Sequence, residues 1–439
     1  MRTDFDYRVT VGWLRDLASQ PTPDDAWPCT RWDDQLERDQ LRFLDAQAEL
    51  GVTYNLAWGL FVDRAWPAPL DAVIDDARAE RVRRFTDAAH ARGLKALSGV
   101  GVYSWGFDEI IAEHPEVARG GAHVMCAHAT AAWGWQRRVL DYMMDDAWGL
   151  DGISMQSADL GRCECDDCGR LSPAEHHALL IVRCAEYVRA SRPDWTIGQA
   201  SWGLRVDEPE ELQWVQAMAS AVDYSIEVRE RSAAAGARRQ LISGLDTAFG
   251  TVGGVFVEPP QHWARLRWFV PCGLASAESL RRLWNDGGRA CEYFHRPFEN
   301  PAEEVSWRTG AMILSHPEMA PMQALAEAVT TVYGVTGDAR DDLSDWFRRG
   351  EEAYFSRANF EIGDGPLSLE PLVWSENRAA PGPAVYLRDR MSAEARHDYG
   401  RELVELRGAL SDIAIPAAHA VDRTRACIEG TLRDIETLA

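Results

Sequence analysis

The chain has 439 residues and a formal net charge of −23, enough for one barrel with an accessory domain. A surface that acidic argues against nucleic acid, heparin-like polyanions and anionic membranes as partners, because like charges repel. Hydrophobic residues make up 46%, which supports a sizeable core. No window approaches the ~18 consecutive apolar residues of a membrane span.

In chain order, YRVTVGWL (7–14) reads as a strand, and DDQLERDQLRFLDAQAEL (33–50) as a helix stopped by Gly51. VTYNLAWGLF (52–61) is a second strand, followed by an amphipathic helix over 75–93 with Gly93 as its stop, the C-terminal glycine pattern. LKALSGVGVY (94–103) is the third strand, WGWQRRVLDYMMDDAWG the next helix, and LDGISMQSAD (150–159) the fourth strand. A helix from Pro173 leads to the fifth strand at 194–203, and a helix at 208–220 leads to the sixth at 222–230. LRWFVPCG (266–273), a helix at 276–286 and RACEYFHRP (289–297) complete eight units. The segment 238–262 fits no single unit: LISGLDTAFG and VGGVFVEPP form an insertion, or one of them is strand seven.

Strand and helix alternating eight times predict an α/β fold, a (β/α)8 TIM barrel over 1–300. The rival open sheet would carry a Gly-rich phosphate turn after its first strand, and none stands there, so no nucleotide cofactor is expected. From 301 to 439 the pattern is all-helical, interrupted by a Pro/Gly-rich patch at 363–383, and is expected to form a C-terminal domain. The start, MRTDFDYRVTVGWL, lacks a basic, then apolar, export signal, so a cytoplasmic location with reduced thiols is expected. A homo-oligomer is compatible with this reading.

Active sites of such barrels lie at the C-terminal strand ends. There the sequence places Trp13 and Arg15, Trp58 and Asp63, Tyr103 and Trp105, Gln156 and Asp159, Trp202 and Arg205, Glu227 and Arg229, and Glu292, Tyr293, His295 and Arg296. Asp246, Glu258 and His262 fall in the ambiguous segment. Sixteen of the 18 tryptophans precede residue 310, and aromatic faces are what sugars stack on, although any single Trp is equally at home in a core. Carboxylates among aromatics suit glycosidic cleavage, which needs one acid and one nucleophile or base. Burial beside Trp raises the acid's pKa and keeps its proton. Asp159 ends the cleanest strand. Glu227, in YSIEV, and Glu258, in VFVEPP, put a charge inside apolar runs, which asks for a partner or a task. The bland reading of each is a cap or an ion pair.

Cys163, Cys165 and Cys168 form C-x-C-x-x-C, a spacing that can converge on one tetrahedral Zn²⁺. Cys126, in HVMCAH, is the candidate fourth ligand, with His123 and His128 as substitutes. A structural zinc, or packed thiols stapling a loop, is the favoured reading. His176 and His177, on a helix, are expected at the surface or behind the site.

The run from GGAHVMCAHAT through LDGISMQSADLGRCECDDCGR to ASRPDWTIGQASWG resembles a family of uncharacterised bacterial proteins related to α-glucuronidases. The resemblance covers roughly residues 90–205. It implies a Cys on the loop after strand three (Cys126), an acidic residue ending strand four (Asp159), then the cysteine motif. α-Glucuronidases themselves imply a (β/α)8 barrel with a helical domain, a Glu acid after strand four and an acidic base on a later strand; Asp159 stands near the acid's position. Hexosaminidase-like barrels of family 20 carry an Asp-Glu pair after strand four, and residues 158–159 are not such a pair.

These observations predict a glycoside hydrolase-like enzyme with a carbohydrate partner. Asp159 and Glu227 flank the bond, with Glu258 as substitute for either. Trp13, Trp58, Tyr103, Gln156, Trp202, Glu292, Tyr293 and His295 line the substrate site, and Arg205 or Arg296 grips a substrate carboxylate if the sugar is a uronide. Two other classes remain open: a zinc-dependent hydrolase or lyase using the cysteines, and a non-catalytic sugar-binding barrel.

Overall fold

A computed structural model describes residues 4–13, 32, 34–62, 65–121, 123–157, 161–201, 209–227, 239, 242–254, 271–294, 301–355, 392–412 and 422–438. Eight strands run β1 (Tyr7–Trp13), β2 (Tyr54–Trp58), β3 (Lys95–Gly101), β4 (Gly152–Ser157), β5 (Thr196–Ser201), β6 (Tyr224–Glu227), β7 (Ala248–Gly254) and β8 (Ala290–Phe294). Each pairs in parallel with the next, and β8 pairs with β1, closing a barrel. The fold is the expected (β/α)8 barrel with helices continuing beyond it.

The seventh strand falls in the ambiguous segment 238–262, one of the two places the sequence allowed for it. It is Ala248–Gly254, paired with β6 and β8, and the run at 266–273 is not the seventh strand. Within that run Pro271 and Cys272 are coil and Gly273 begins a helix, while 266–270 lie outside the described residues. A short apolar run does not distinguish strand from buried loop; the ladder between β6 and β8 decides.

The helices of the barrel half are α1 (Asp34–Glu49), α2 (Asp76–His90), α3 (Asp108–Glu113), α4 (Thr130–Met143), α5 (Pro173–Ser191), α6 (Pro209–Ala219) and α7 (Gly273–Asn285). Their starts follow local chemistry. Asp75 caps α2 by accepting from Arg78 N at 2.7 Å, and Ser172 caps α5 by accepting from Glu175 N at 3.1 Å, with Pro173 at the first helical position; such caps satisfy amide groups that the helix leaves unpaired. Beyond the strands come α8 (Pro301–Ser315), α9 (Pro321–Tyr333), α10 (Asp338–Phe355), α11 (Ala393–Ser411) and α12 (Asp422–Leu438).

α8 belongs physically to the barrel wall. Phe5 N donates to Leu314 O at 3.3 Å, Tyr293 OH to Ser306 O at 3.2 Å, and Cys272 N to Ser306 Oγ at 3.0 Å. Glu351 of α10 reaches back to accept from Leu274 N at 3.0 Å and Ala275 N at 2.5 Å, so the helical region caps the N-terminus of α7. At the opposite edge of the barrel two aspartates do equivalent work. Asp151 Oδ2 accepts from Ala96 N and bonds His90 Nε2, both at 2.8 Å. Asp223 Oδ2 accepts from Ile197 N at 2.7 Å and Arg189 Nη2 at 2.8 Å.

Two separate cores follow. One lies between strands and helices; the other fills the lumen, with Val9, Leu56, Leu97, Tyr224 and Ile226 among its members. Strand tilt places residues of alternate strands in layers. By the observed register, Leu56, Ser154, Ile226 and Glu292 form one layer, and Val11, Gly99 and Ala200 the next. Trp58, Gln156 and Phe294 follow at the mouth. A Cβ on Gly99 would stand 2.2 Å from Trp58 Cδ2, so glycine there is what admits the indole to the lumen.

Gly99→Ala is therefore expected to lower stability by about 1–3 kcal/mol through overpacking, read by urea denaturation. Unchanged stability would show that the indole moves aside without cost.

Candidate active site at the barrel mouth

The connection from β3 to α3 crosses the C-terminal mouth. Two of its residues have left-handed backbone without being glycine: Tyr103 at φ 59° and Trp105 at φ 41°. Each such residue costs on the order of 1 kcal/mol and persists only where its surroundings hold it. Tyr103 is held at four points. Its N donates to Gln136 Oε1 at 2.9 Å, its O accepts from Met125 N at 2.7 Å, its ring is buried, and its OH accepts from Arg183 Nη1 at 3.2 Å. Burial pushes the Tyr103 phenol up to about 12, so it stays protonated. Trp105 meets Trp58 edge to face, with ring centroids 5.0 Å apart and planes at 89°, a favoured geometry for aromatic pairs.

Below this rim the lumen holds the buried carboxyl of Glu292. Glu292 Oε1 accepts from Ser154 Oγ at 2.6 Å and from Tyr224 OH at 3.0 Å. Burial raises its pKa to about 7, against the lowering effect of Ser154 and Tyr224. The three residues come from β8, β4 and β6 and cross the lumen, so the polar contact fixes three strands at once.

At the end of β4, Ser157 Oγ bonds His177 Nδ1, and His177 Nε2 meets Gln199 Oε1 at 2.8 Å. An amide oxygen accepts only, so Nε2 carries the proton and Nδ1 accepts from the hydroxyl. Burial holds His177 down to about 4, which keeps it neutral. His176 is also buried and lowered to about 4, by desolvation first, and its Nε2 has no hydrogen-bond partner among the described residues. Both histidines are thus interior, which excludes the surface alternative and leaves the placement behind the site; the outer face of β4 covers His177.

Beside the mouth, Cys126, Cys163, Cys165 and Cys168 bring their sulfurs within 4.8 Å of one another. Cys126 Sγ is 3.7 Å from Cys165 Sγ and 3.8 Å from Cys168 Sγ, and all four are free thiols. Cys165 is half-buried and the others are buried. Burial pushes Cys163 up to about 11 and Cys168 higher still, whereas a hydrogen bond from the Cys168 backbone amide, the largest influence, draws Cys165 down to about 7. The cysteine loop lies against the preceding loop: Glu164 N donates to Gly120 O at 2.9 Å, and a Cβ on Gly120 would come within 2.7 Å of Cys165 N. These four thiols are placed to hold a metal ion. His123 is not among them; it bonds Asp108 at 2.6 Å.

The structure distributes the candidate residues unevenly. Trp58 and Gln156 stand at the mouth, and Trp13 ends β1 in register with Trp58. The Tyr103 ring is buried in the strand–helix core, its OH on Arg183 of α5, so it holds the mouth loop from behind and does not face a ligand. Glu292 lies two layers below the mouth layer of Trp58, Gln156 and Phe294. Tyr293 alternates to the other face, where its OH reaches Ser306 of α8, so its ring is behind the barrel wall and not in the mouth. Glu227 is buried at the end of β6, in the phase opposite to Tyr224 and Ile226, which line the lumen. Asp159, Glu258, Trp202, Arg205, His295 and Arg296 lie outside the described residues, as do Asp63, Arg229 and His262. Sequence reasoning passed over Ser154 and Tyr224; their spacing carries no motif, and only period-two alternation could have turned them inward. A polar cavity of about 660 Å³, bordered by Asp6, Arg189, Asp223 and Arg289, sits at the far end of the barrel.

The sequence matches no protein-family model and no curated protein. Among solved structures, the chain is similar to a point mutant of an O-GlcNAc hydrolase from Thermobaculum terrenum, at 10% identity and a TM-score of 0.56. That match covers 99% of this chain and 82% of the other. It is also similar to a protein described as a GH138 enzyme targeting pectin rhamnogalacturonan II, at 11% identity and a TM-score of 0.57. Here 99% of this chain spans 57% of that one. At these identities the likeness is one of fold.

Glu292 gives a pH test. Its folded pKa of about 7 lies above the ordinary 4.5, so the folded state keeps a proton that the unfolded chain releases. The contribution is complete below about pH 4.5 and is lost as pH rises through 7, on the order of 3 kcal/mol in all. Glu292→Gln should flatten the fall in stability between pH 5 and 8, measured by urea denaturation. An unchanged slope would place the proton elsewhere.

Proposed function

We propose that the protein is a glycoside hydrolase-like enzyme that cleaves a glycosidic bond at the C-terminal mouth of the barrel. The observation that carries this reading is the aromatic pair of Trp58 and Trp105 at the mouth, borne on a loop whose Tyr103 and Trp105 are left-handed without being glycine. Strained backbone held by many contacts is characteristic of functional sites, and the rim stands where barrel enzymes keep theirs. The fold likeness to two carbohydrate-active proteins supports the reading.

In this reading Asp159, two residues beyond the Ser157–His177 contact, supplies one carboxylate. Glu227 turns away from the lumen by strand alternation, so the weight for the second carboxylate moves to Glu258, beyond β7. One protonates the leaving oxygen; the other attacks the anomeric carbon or activates water. Trp13, Trp58, Gln156 and Trp202 are assigned to the sugar-binding walls and His295 to sugar hydroxyls, while Tyr103, expected among them, is buried and supports the loop instead. Arg205 or Arg296 would hold a uronide carboxylate, in keeping with the α-glucuronidase resemblance. The partner is a carbohydrate, and a cytoplasmic location suits a cluster of reduced thiols.

The cysteines are assigned to a structural zinc. Tetrahedral Zn–S bonds of ~2.3 Å give sulfur separations of about 3.8 Å, close to the 3.7 and 3.8 Å from Cys126 to Cys165 and Cys168. Four thiolates close the coordination sphere and leave no position for water, which favours a structural role over zinc-dependent hydrolysis.

Asp159→Asn and Glu258→Gln should each lower turnover of a cleaved aryl glycoside by about 10²–10⁴-fold with the far-UV spectrum intact; a panel of β- and α-aryl glycosides, the glucuronide and N-acetylglucosaminide included, identifies that substrate. Full activity in both variants would sink the carboxylate pair, and affinity without any turnover would favour the sugar-binding alternative. Elemental analysis should find about one zinc per chain, and chelation should lower the melting temperature; a metal-free protein of unchanged stability would refute the zinc assignment.

A further inference from the structure

Cys126 differs from the other three cysteines in coming from the preceding connection, the one between β3 and α4. Its two neighbours in sequence are the residues that hold Tyr103. Met125 N donates to Tyr103 O at 2.7 Å. Ala127 O accepts from Arg183 Nη1 at 3.0 Å, and the same Nη1 donates to Tyr103 OH at 3.2 Å. Cys126 N itself donates to Val117 O at 2.8 Å. The thiol that joins the two loops therefore sits between the two clamps on the left-handed Tyr103. Trp105, two residues on and also left-handed, meets Trp58 edge to face.

We propose that metal bound by Cys126, Cys163, Cys165 and Cys168 positions the aromatic rim, acting through Met125, Ala127 and Arg183 on Tyr103 and Trp105. This inference rests on the zinc reading above and extends it from a loop staple to a determinant of ligand recognition. The physical argument is confinement. A left-handed Tyr has a more relaxed alternative on the ordinary side of the backbone map, and what prevents that relaxation is a strand of chain fixed at three points around Cys126. Without the ion, four thiols in weak mutual contact replace four metal–sulfur bonds, and the segment 125–127 loses its anchor to the cysteine loop. Both partners of Tyr103 are then released, since Met125 N belongs to that segment and Arg183 Nη1, from α5, is held toward the Tyr103 hydroxyl by Ala127 O. Linkage is reciprocal: a rim held by the metal must in turn favour metal binding.

The test uses the full-length protein, zinc-loaded and zinc-stripped, in wild type, Trp105→Phe, Arg183→Met and Tyr103→Phe. Zinc is counted by elemental analysis, its affinity measured by competition with a chromophoric chelator, and tryptophan emission compared with and without metal. Stripping should change the emission of the wild type, and that change should disappear in Trp105→Phe. Arg183→Met should weaken zinc about 10–100-fold, the range found for residues behind metal ligands. Tyr103→Phe, which keeps the ring and removes only the bond to Arg183, should weaken it in the same direction should Arg183→Met not fold. If zinc binds but the emission change is absent, or is equally large in Trp105→Phe as global unfolding would make it, the coupling is overturned and the zinc assignment stands. If zinc affinity is unaltered in Arg183→Met and Tyr103→Phe, the coupling is likewise overturned. If no zinc binds at all, the zinc assignment falls and takes this inference with it.

Discussion

Closure of the hydrogen-bonded ladder between β8 and β1 is the constraint on which the site depends. In an open sheet each strand could slip and present either face. In a closed barrel the register of every strand is fixed by both neighbours, and with it the identity of each inward side chain. The pairing of Val9 with Glu292 and of Val11 with Phe294 sets Glu292 inside and Tyr293 outside. The same closure turns Tyr224 and Ile226 inward and leaves Glu227 in the other phase.

Polar chemistry inside the lumen is compatible with this apolar packing because it is mutual. Glu292, Ser154 and Tyr224 satisfy one another across three strands. A carboxyl without such donors would carry the full penalty of burial. Protonation of Glu292 near neutral pH relieves part of that penalty, so the interior of the barrel carries a titration that most cores lack. On the outer face Ser157, His177 and Gln199 form a second satisfied network, which holds the end of β4 close to Asp159 in sequence. The two networks face opposite sides of β4 and act on the same strand.

The mouth joins strain to rigidity. Tyr103 and Trp105 sit in backbone conformations that an isolated chain would leave, and the β3–α4 and β4–α5 connections meet beside them at the cysteine cluster. Two loops that would otherwise move independently are joined by Glu164 and Gly120 in the backbone and by four converging sulfurs. Binding surfaces built from loops gain precision when the loops are fixed this way.

The sequence by itself determined the alternation of eight strands and their helices, because period-two and period-3.6 apolar patterns are local properties of the chain. It also made three members of the cysteine cluster legible, since C-x-C-x-x-C converges over a few residues, but left Cys126, His123 and His128 open as the fourth, and only the structure selects Cys126. It did not determine strand seven: 248–254 and 266–273 are both short and apolar, and only pairing with β6 and β8 selects the first. Nor did it determine which face each carboxylate presents. Glu227 and Glu292 both read as charges in buried strands, and Glu292 enters the lumen while Glu227 takes the opposite phase. The left-handed turns at Tyr103 and Trp105 were equally illegible, because local preference opposes them. Tyr103 is held by Gln136, Met125 and Arg183, which lie 22 to 80 positions away along the chain, and Trp105 packs on Trp58 of β2. Local patterns fix what is local; facing, register and strain are decided by contacts that only the tertiary structure brings together.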